Sequence, residues 1–160
     1  MSYHKLMMEN HTLFSKMVFE ELSGMQLSAG QPKVLEYLFA YDGAVQKDIA
    51  EACMIEPATA TSLLARMEKN GLVERCSRED DKRYIFVYLT ERGRTMAEAS
   101  VDVLGKVEER VLEGFSEEER ETFIFCLEQV NDNLRKARAQ QKSEKHNKAY
   151  KPEKCGAEKQ

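Results

Sequence analysis

Ala58, Thr61, Ser62, Ala65, Arg66 and Lys69 recur at a spacing that sets them along one side of a helix, and their types run from small to hydroxylic to basic. Short side chains let a helix approach a surface closely, while hydroxyl and guanidinium groups bond base edges and phosphates, so this pattern suits a helix entering a DNA major groove. The Thr61 and Ser62 hydroxyls are the expected base contacts. An ordinary surface helix more often carries Glu/Lys pairs, and periodicity alone leaves a groove-reading face and a solvated face both open. A second group of cations, Arg78, Lys82 and Arg83, lies in the segment "SREDDKR" and can reach phosphates or a narrow minor groove. Glu79, Asp80 and Asp81 interrupt it, and a carboxylate facing DNA is costly. At least one is expected to orient an arginine, and Asp81 with Arg83, two apart on one side of an extended strand, is the expected pair. The plainer alternative for this segment is a solvated β-turn.

Other chemistries find less support. No nucleophile, base and orienting group assemble along the chain, and no glycine loop cradles a phosphate, so an enzyme is not expected. His4, His11 and His146 make no metal site by spacing, and no metal or cofactor is expected. Cys53, Cys76, Cys126 and Cys155 are scattered, without a C-x-x-C pair, which points to isolated, reduced thiols. Cys53 shares a buried helix face with Ile49; Cys76 is the better candidate for exposure, and a thiol-redox-responsive regulator stays as an alternative.

The elements that must position these groups follow from periodicity and punctuation. The chain has 160 residues, 42% hydrophobic and 32% charged, which is the size and composition of one folded domain. Its net charge is −4, yet residues 44–95 are neutral, with nine cationic and nine acidic side chains, so a local basic surface remains compatible with a nucleic-acid partner. No stretch approaches the roughly 18 apolar residues of a membrane span, and "MSYHKLMMENH" lacks a signal-type apolar run; a cytoplasmic location and no membrane partner are expected.

Met7, Phe14, Val18, Leu22 and Met25 fall at helical spacing, which predicts an amphipathic helix over about residues 3–24, stopped near Gly24. Ser28 and Gln31 fit a capping box for a second helix with Val34, Leu35, Leu38 and Tyr41 buried and Gly43 at its end. "QKDIAEACMIEPATATSLLARMEKNG" divides into two helices around 54–56: Ile49, Ala50 and Cys53 face the core in the first, and Ala60, Leu63, Leu64 and Met67 in the second. Pro57 stands in the first turn of that second helix and Gly71 at its C-terminal stop. "LVERC" (72–76) and "YIFVYL" (84–89) then pair as an antiparallel hairpin, with Ile85, Val87 and Leu89 on one face. Thr90 is the expected N-cap of a long helix with a seam of Ser100, Leu104, Val107 and Val111. Ser116 and Glu119 form a capping box for another, striped by Phe123, Leu127, Val130 and Leu134.

These features describe a mainly α fold with a small β-hairpin, a winged helix-turn-helix with flanking dimerisation helices. A single domain over 1–141 is expected, with a DNA-binding core at about 27–93. Residues 142–160, "KSEKHNKAYKPEKCGAEKQ", are expected to form a disordered Lys-rich tail.

"LSAGQ", "DIAEACMIEPATATSLLARMEKNGLVER", the R-x-x-D-x-R of Arg78, Asp81 and Arg83, and "VYLTERG", in that order, closely resemble the MarR family of transcriptional regulators. The resemblance implies a homodimer held by the first, fifth and sixth helices, with two winged domains gripping a pseudo-palindromic operator in double-stranded DNA. It implies that Pro57, Thr59, Thr61, Ser62 and Arg66 lie at or near bases, that Gln46 and Lys47 begin a helix crossing the backbone, and that Asp81 braces Arg83 with Lys82 near the minor groove. It also implies a repressor released by a small-molecule effector. His11, Phe14, Met17 and Tyr37 are the candidate effector contacts, against the plainer reading of core or interface side chains. Glu56 departs from the small polar residue common before the proline, and the two extra acids at the hairpin tip, Glu79 and Asp80, depart as well. A winged-helix protein-interaction module that reads no DNA is the alternative of a different class.

Overall fold

The second helix begins two residues later than a Ser28 cap requires. In the computed structural model, which describes residues 2–77 and 83–149, α2 spans Gln31–Ala40 behind Gly30 in a left-handed conformation. Only part of the expected box forms: the Ser28 amide donates to Gln31 Oε1 at 2.8 Å, but Ser28 is not the N-cap. Tyr41 is 63% exposed rather than buried, because the helix ends at Ala40 and the backbone of Tyr41 turns out of helical geometry.

α1, Tyr3–Leu22, is continued by a 3-10 turn over Ser23–Met25, and Gln26 rather than Gly24 takes the left-handed position that ends it. α3 (Gln46–Ala52) and α4 (Pro57–Lys69) form the helix-turn-helix. Both end in the same double hydrogen bond that satisfies the last carbonyls of a helix. Met54 and Ile55 amides donate to Glu51 and Ala50 carbonyls after α3, as Gly71 and Leu72 amides do to Glu68 and Met67 after α4. Gly71 was legible as a stop. Met54, with φ 55°, fills the same left-handed place with a residue that gives no such signal.

β2 (Val73–Ser77) and β3 (Ile85–Leu89) pair antiparallel, as the alternation predicts, with Arg75 opposite Val87. A two-residue strand, β1 (Ala44–Val45), joins the other edge of β3 and completes a sheet of order β1-β3-β2. It is too short for an alternating pattern to reveal. The core gathers Val34, Leu35 and Leu38, the inner faces of α3 and α4, Val73, Val87, and Ala97 of α5 (Glu91–Val111). Every core position expected on α3 and α4 is buried. Thr90 caps α5 through its hydroxyl, which accepts the Gly93 amide at 2.9 Å. Along the α5 seam Ser100 and Val107 are buried, while Val111 at its end is 39% exposed.

The chain forms two compact units, residues 1–111 and 112–160. The second holds α6, Glu117–Ala149, whose capping box is complete: Ser116 amide and hydroxyl donate to Glu119 Oε2 at 2.8 and 2.9 Å, and the Glu119 amide returns a bond to Ser116 Oγ. These bonds hold the Glu119 carboxyl below its ordinary range. The backbone of residues 142–149 is helical, the last part of α6. Lys, Glu, Gln and Ala favour a helix, and no glycine or proline interrupts before Pro152. The rest of the expected tail, 150–160, lies outside the described residues.

Candidate nucleic-acid interface

α4 turns two different faces outward and inward. Ala60, Leu63, Leu64 and Met67 are buried, while Pro57, Ala58, Thr59, Thr61, Ser62, Ala65, Arg66 and Lys69 are all exposed, so the small-to-basic gradient lies on one accessible side of the helix. Glu56 is its extended N-cap residue but makes no side-chain cap hydrogen bond, and Pro57 opens the first turn. Arg66 and Lys69 stand in the last turn, where the helix dipole favours cations.

α3 lies against this helix. Lys47 is exposed, and Gln46, partly buried, donates from Nε2 to Thr61 Oγ1 at 2.9 Å, which ties the start of α3 to the middle of the outward face of α4. The two residues are fifteen apart, and no spacing rule announces the bond. Arg83, beyond the hairpin tip, is exposed with its guanidinium carbon 6.0 Å from the Tyr84 ring centre. Arg78, Asp81 and Lys82 lie outside the described residues, and with them the expected Asp81 partner of Arg83.

The arrangement is that of a winged helix-turn-helix, and comparison with known proteins agrees. The MarR family model matches residues 27–85. "Transcriptional regulator HosA" of Escherichia coli O157:H7 is 36% identical over 104 residues, 65% of this chain and 77% of that protein. The chain belongs to the MarR family of transcriptional regulators. A second relative, the HTH-type regulator YwoH of Bacillus subtilis (strain 168), is 32% identical over 111 residues, covering 69% of this chain and 80% of its own. Among solved structures, the MepR–DNA complex of Staphylococcus aureus is 28% identical with a TM-score of 0.75, covering 84% of this chain and 99% of that one. A MarR family regulator from Listeria monocytogenes complexed with 26mer DNA has a TM-score of 0.78 at 20% identity, covering 84% and 89%, and attests the fold.

Two side-chain links that sequence reading missed set the geometry of this MarR fold. Glu68, at the inner end of α4, accepts the Arg75 amide at 3.1 Å on Oε1, and the Arg75 Nε and Nη2 at 3.0 and 2.7 Å on Oε2. The α4 end is thereby clamped to β2, with the Arg75 guanidinium paired to a carboxylate. The clamp's hydrogen bonds pull the Glu68 carboxyl below its ordinary range. A depressed folded-state pKa stabilises the fold above the unfolded value of about 4.3, and that contribution is lost as pH falls through the lower folded value. Glu68→Gln is therefore expected to destabilise at neutral pH by on the order of 1 kcal/mol, discounted because the carboxylate is 38% exposed. Urea denaturation of both proteins should show the gap narrowing as pH falls below about 4; a gap that does not change with pH would remove the charge from the explanation. The second link is Asp42, which accepts the Leu89 amide at 2.8 Å and pairs with Arg94, joining β3 to the first turn of α5.

The candidate effector residues differ in burial. His11 and Phe14 are exposed on α1 and Met17 is partly buried there, whereas Tyr37 packs on the core with its ring 5.1 Å from that of Tyr41. Burial, with Asp48 next, raises the Tyr37 hydroxyl pKa. Among the described residues no hydrogen bond or ring contact joins Tyr37 to the α1 trio. Cys53 is buried, its thiol raised first by that burial and directed to the Lys33 carbonyl, as suits an inert group; Cys76 and Cys126 are exposed. Among the described residues no group of His, Cys, Asp and Glu can hold a metal ion, and no helix is long and apolar enough to cross a membrane.

Proposed function

We propose that this MarR family regulator is a repressor that binds a pseudo-palindromic operator as a homodimer and is released by a small-molecule effector. α4 enters the major groove with Pro57, Thr59, Thr61, Ser62 and Arg66 at or near the bases. Gln46 and Lys47 begin the helix that crosses the phosphate backbone, and Arg83, with Arg78, Asp81 and Lys82, serves the wing. The observation that carries this reading is the single accessible face of α4, graded from alanine and threonine to Arg66 and Lys69. The DNA complex of MepR, at 28% identity, supports it by likeness.

Dimerisation is supported by apolar side chains that the described residues leave uncovered: Leu13, Phe14 and Phe19 on α1, and Phe123, Phe125 and Leu134 on α6, all at least 40% exposed. On each helix such apolar side chains are ones that a second copy could cover. His11, Phe14, Met17 and Tyr37 remain the residues proposed for the effector.

The test is binding of the purified protein to DNA from upstream of its own gene and to scrambled duplexes at several salt concentrations. Selective binding that falls roughly 10³-fold or more between 50 and 200 mM salt is expected of a dimer contacting six or more phosphates. No preference on these fragments, followed by no enrichment from genomic DNA, would sink the reading in favour of an interaction module.

A further inference from the structure

The hydroxyls of the reading face have already spent their protons. Thr61 Oγ1 donates its one proton to the Pro57 carbonyl at 2.9 Å and accepts from Gln46 Nε2 at 2.9 Å; Ser62 Oγ donates to the Ala58 carbonyl at 3.0 Å. A helical threonine otherwise divides between two rotamers, because its hydroxyl can reach either of two carbonyls of the preceding turn. The Gln46 bond selects one. Reversing the Gln46 amide would claim the same single proton, abandon Pro57, and bury an NH2 group in the position where Oε1 now has no partner among the described residues. With its proton spent and one of its two lone pairs taken, Oγ1 can no longer donate to a base edge, and the methyl is the apolar group that exposed Thr61 has to offer.

We infer that Gln46 is a positioning residue that turns the Thr61 hydroxyl inward, so that α4 reads a thymine 5-methyl group through the Thr61 methyl rather than a base edge through its hydroxyl. The inference rests on the DNA reading above and reverses the expectation that the Thr61 hydroxyl bonds a base. Apolar contact with the thymine methyl is a recognised mode of major-groove discrimination.

The experiment selects duplexes from a randomised pool with the full-length wild-type protein, then measures affinity for the enriched duplex and for copies carrying uracil in place of single thymines. Loss of the 5-methyl at the contacted thymine should weaken wild-type binding about fourfold, the worth of one buried methyl-sized group. Thr61→Val should keep that sensitivity and Thr61→Ser should lose it. Gln46→Ala should blunt it without changing the melting curve, and Thr61→Val in the Gln46→Ala background should restore it, which a merely structural role would not produce. If Thr61→Val loses the preference while Thr61→Ser retains it, the hydroxyl is the reader and the inference fails. Full sensitivity in Gln46→Ala removes the positioning role. A wild-type protein indifferent to every uracil overturns the inference but leaves operator binding standing, whereas a pool that enriches no sequence overturns both.

Discussion

Gly93→Ala is expected to destabilise the protein by about 3 kcal/mol, the upper end of what overpacking costs. A Cβ at this position would stand 1.8 Å from the Leu72 carbonyl oxygen and 2.8 Å from its carbon, and both belong to backbone that cannot swing aside. That oxygen also accepts the Thr90 amide at 3.1 Å, and the Thr90 hydroxyl in turn accepts the Gly93 amide and donates to the Gly71 carbonyl. The start of α5 is thus seated on the turn between α4 and β2 by a set of bonds that a methyl group would pry apart. Gly105, further along the same helix, has open space around its missing Cβ. Gly105→Ala should therefore stabilise by about 0.8–1 kcal/mol, the ordinary helix preference of alanine over glycine. Urea denaturation of the two variants beside the wild type decides the matter; a Gly93→Ala protein as stable as its parent would mean that α5 does not dock on Leu72 as described.

Arg83→Ala is expected to have the largest effect on DNA binding. Arg83 is exposed where the hairpin re-enters the sheet, and the Tyr84 ring beneath it gives the guanidinium an apolar support. Loss of one such contact costs roughly 1–3 kcal/mol, and two wings of a dimer lose two. If the contact is to phosphate, the salt dependence should also become shallower by about one unit for each wing. Binding measured across a salt series, with sedimentation to confirm an unchanged oligomeric state, tests the assignment. Affinity and salt slope like those of the wild type would remove Arg83 from the interface.

Much of this molecule follows from local rules. Proline inside a first turn, glycine after a last one, and Ser116 with Glu119 at the required offset all mark helix ends from the residues themselves, because caps are made by neighbours in the chain. The 3.6-residue recurrence of Ala60, Leu63, Leu64 and Met67 chooses the buried face of α4, and thereby its outward face, whereas of the alternating residues 85, 87 and 89 only Val87 is fully buried. Where residue type and conformation part company, those rules lose their grip: Met54 in a left-handed turn, Tyr41 just past the end of its helix, and a two-residue β1 carry no local signature.

The sequence by itself determined that the chain is a winged helix-turn-helix of the MarR family and which side of α4 faces outward, since periodicity and capping act within a few residues. Only the tertiary structure decided how that face is equipped. The bonds of Gln46 to Thr61, Glu68 to Arg75, Asp42 to Leu89 and Arg94, and the seat of Gly93 on Leu72 join elements separated by turns and strands. Hydrogen-bond donors and acceptors find such partners through the packing of the core, and that packing sets Gln46 against the Thr61 hydroxyl and Glu68 against Arg75.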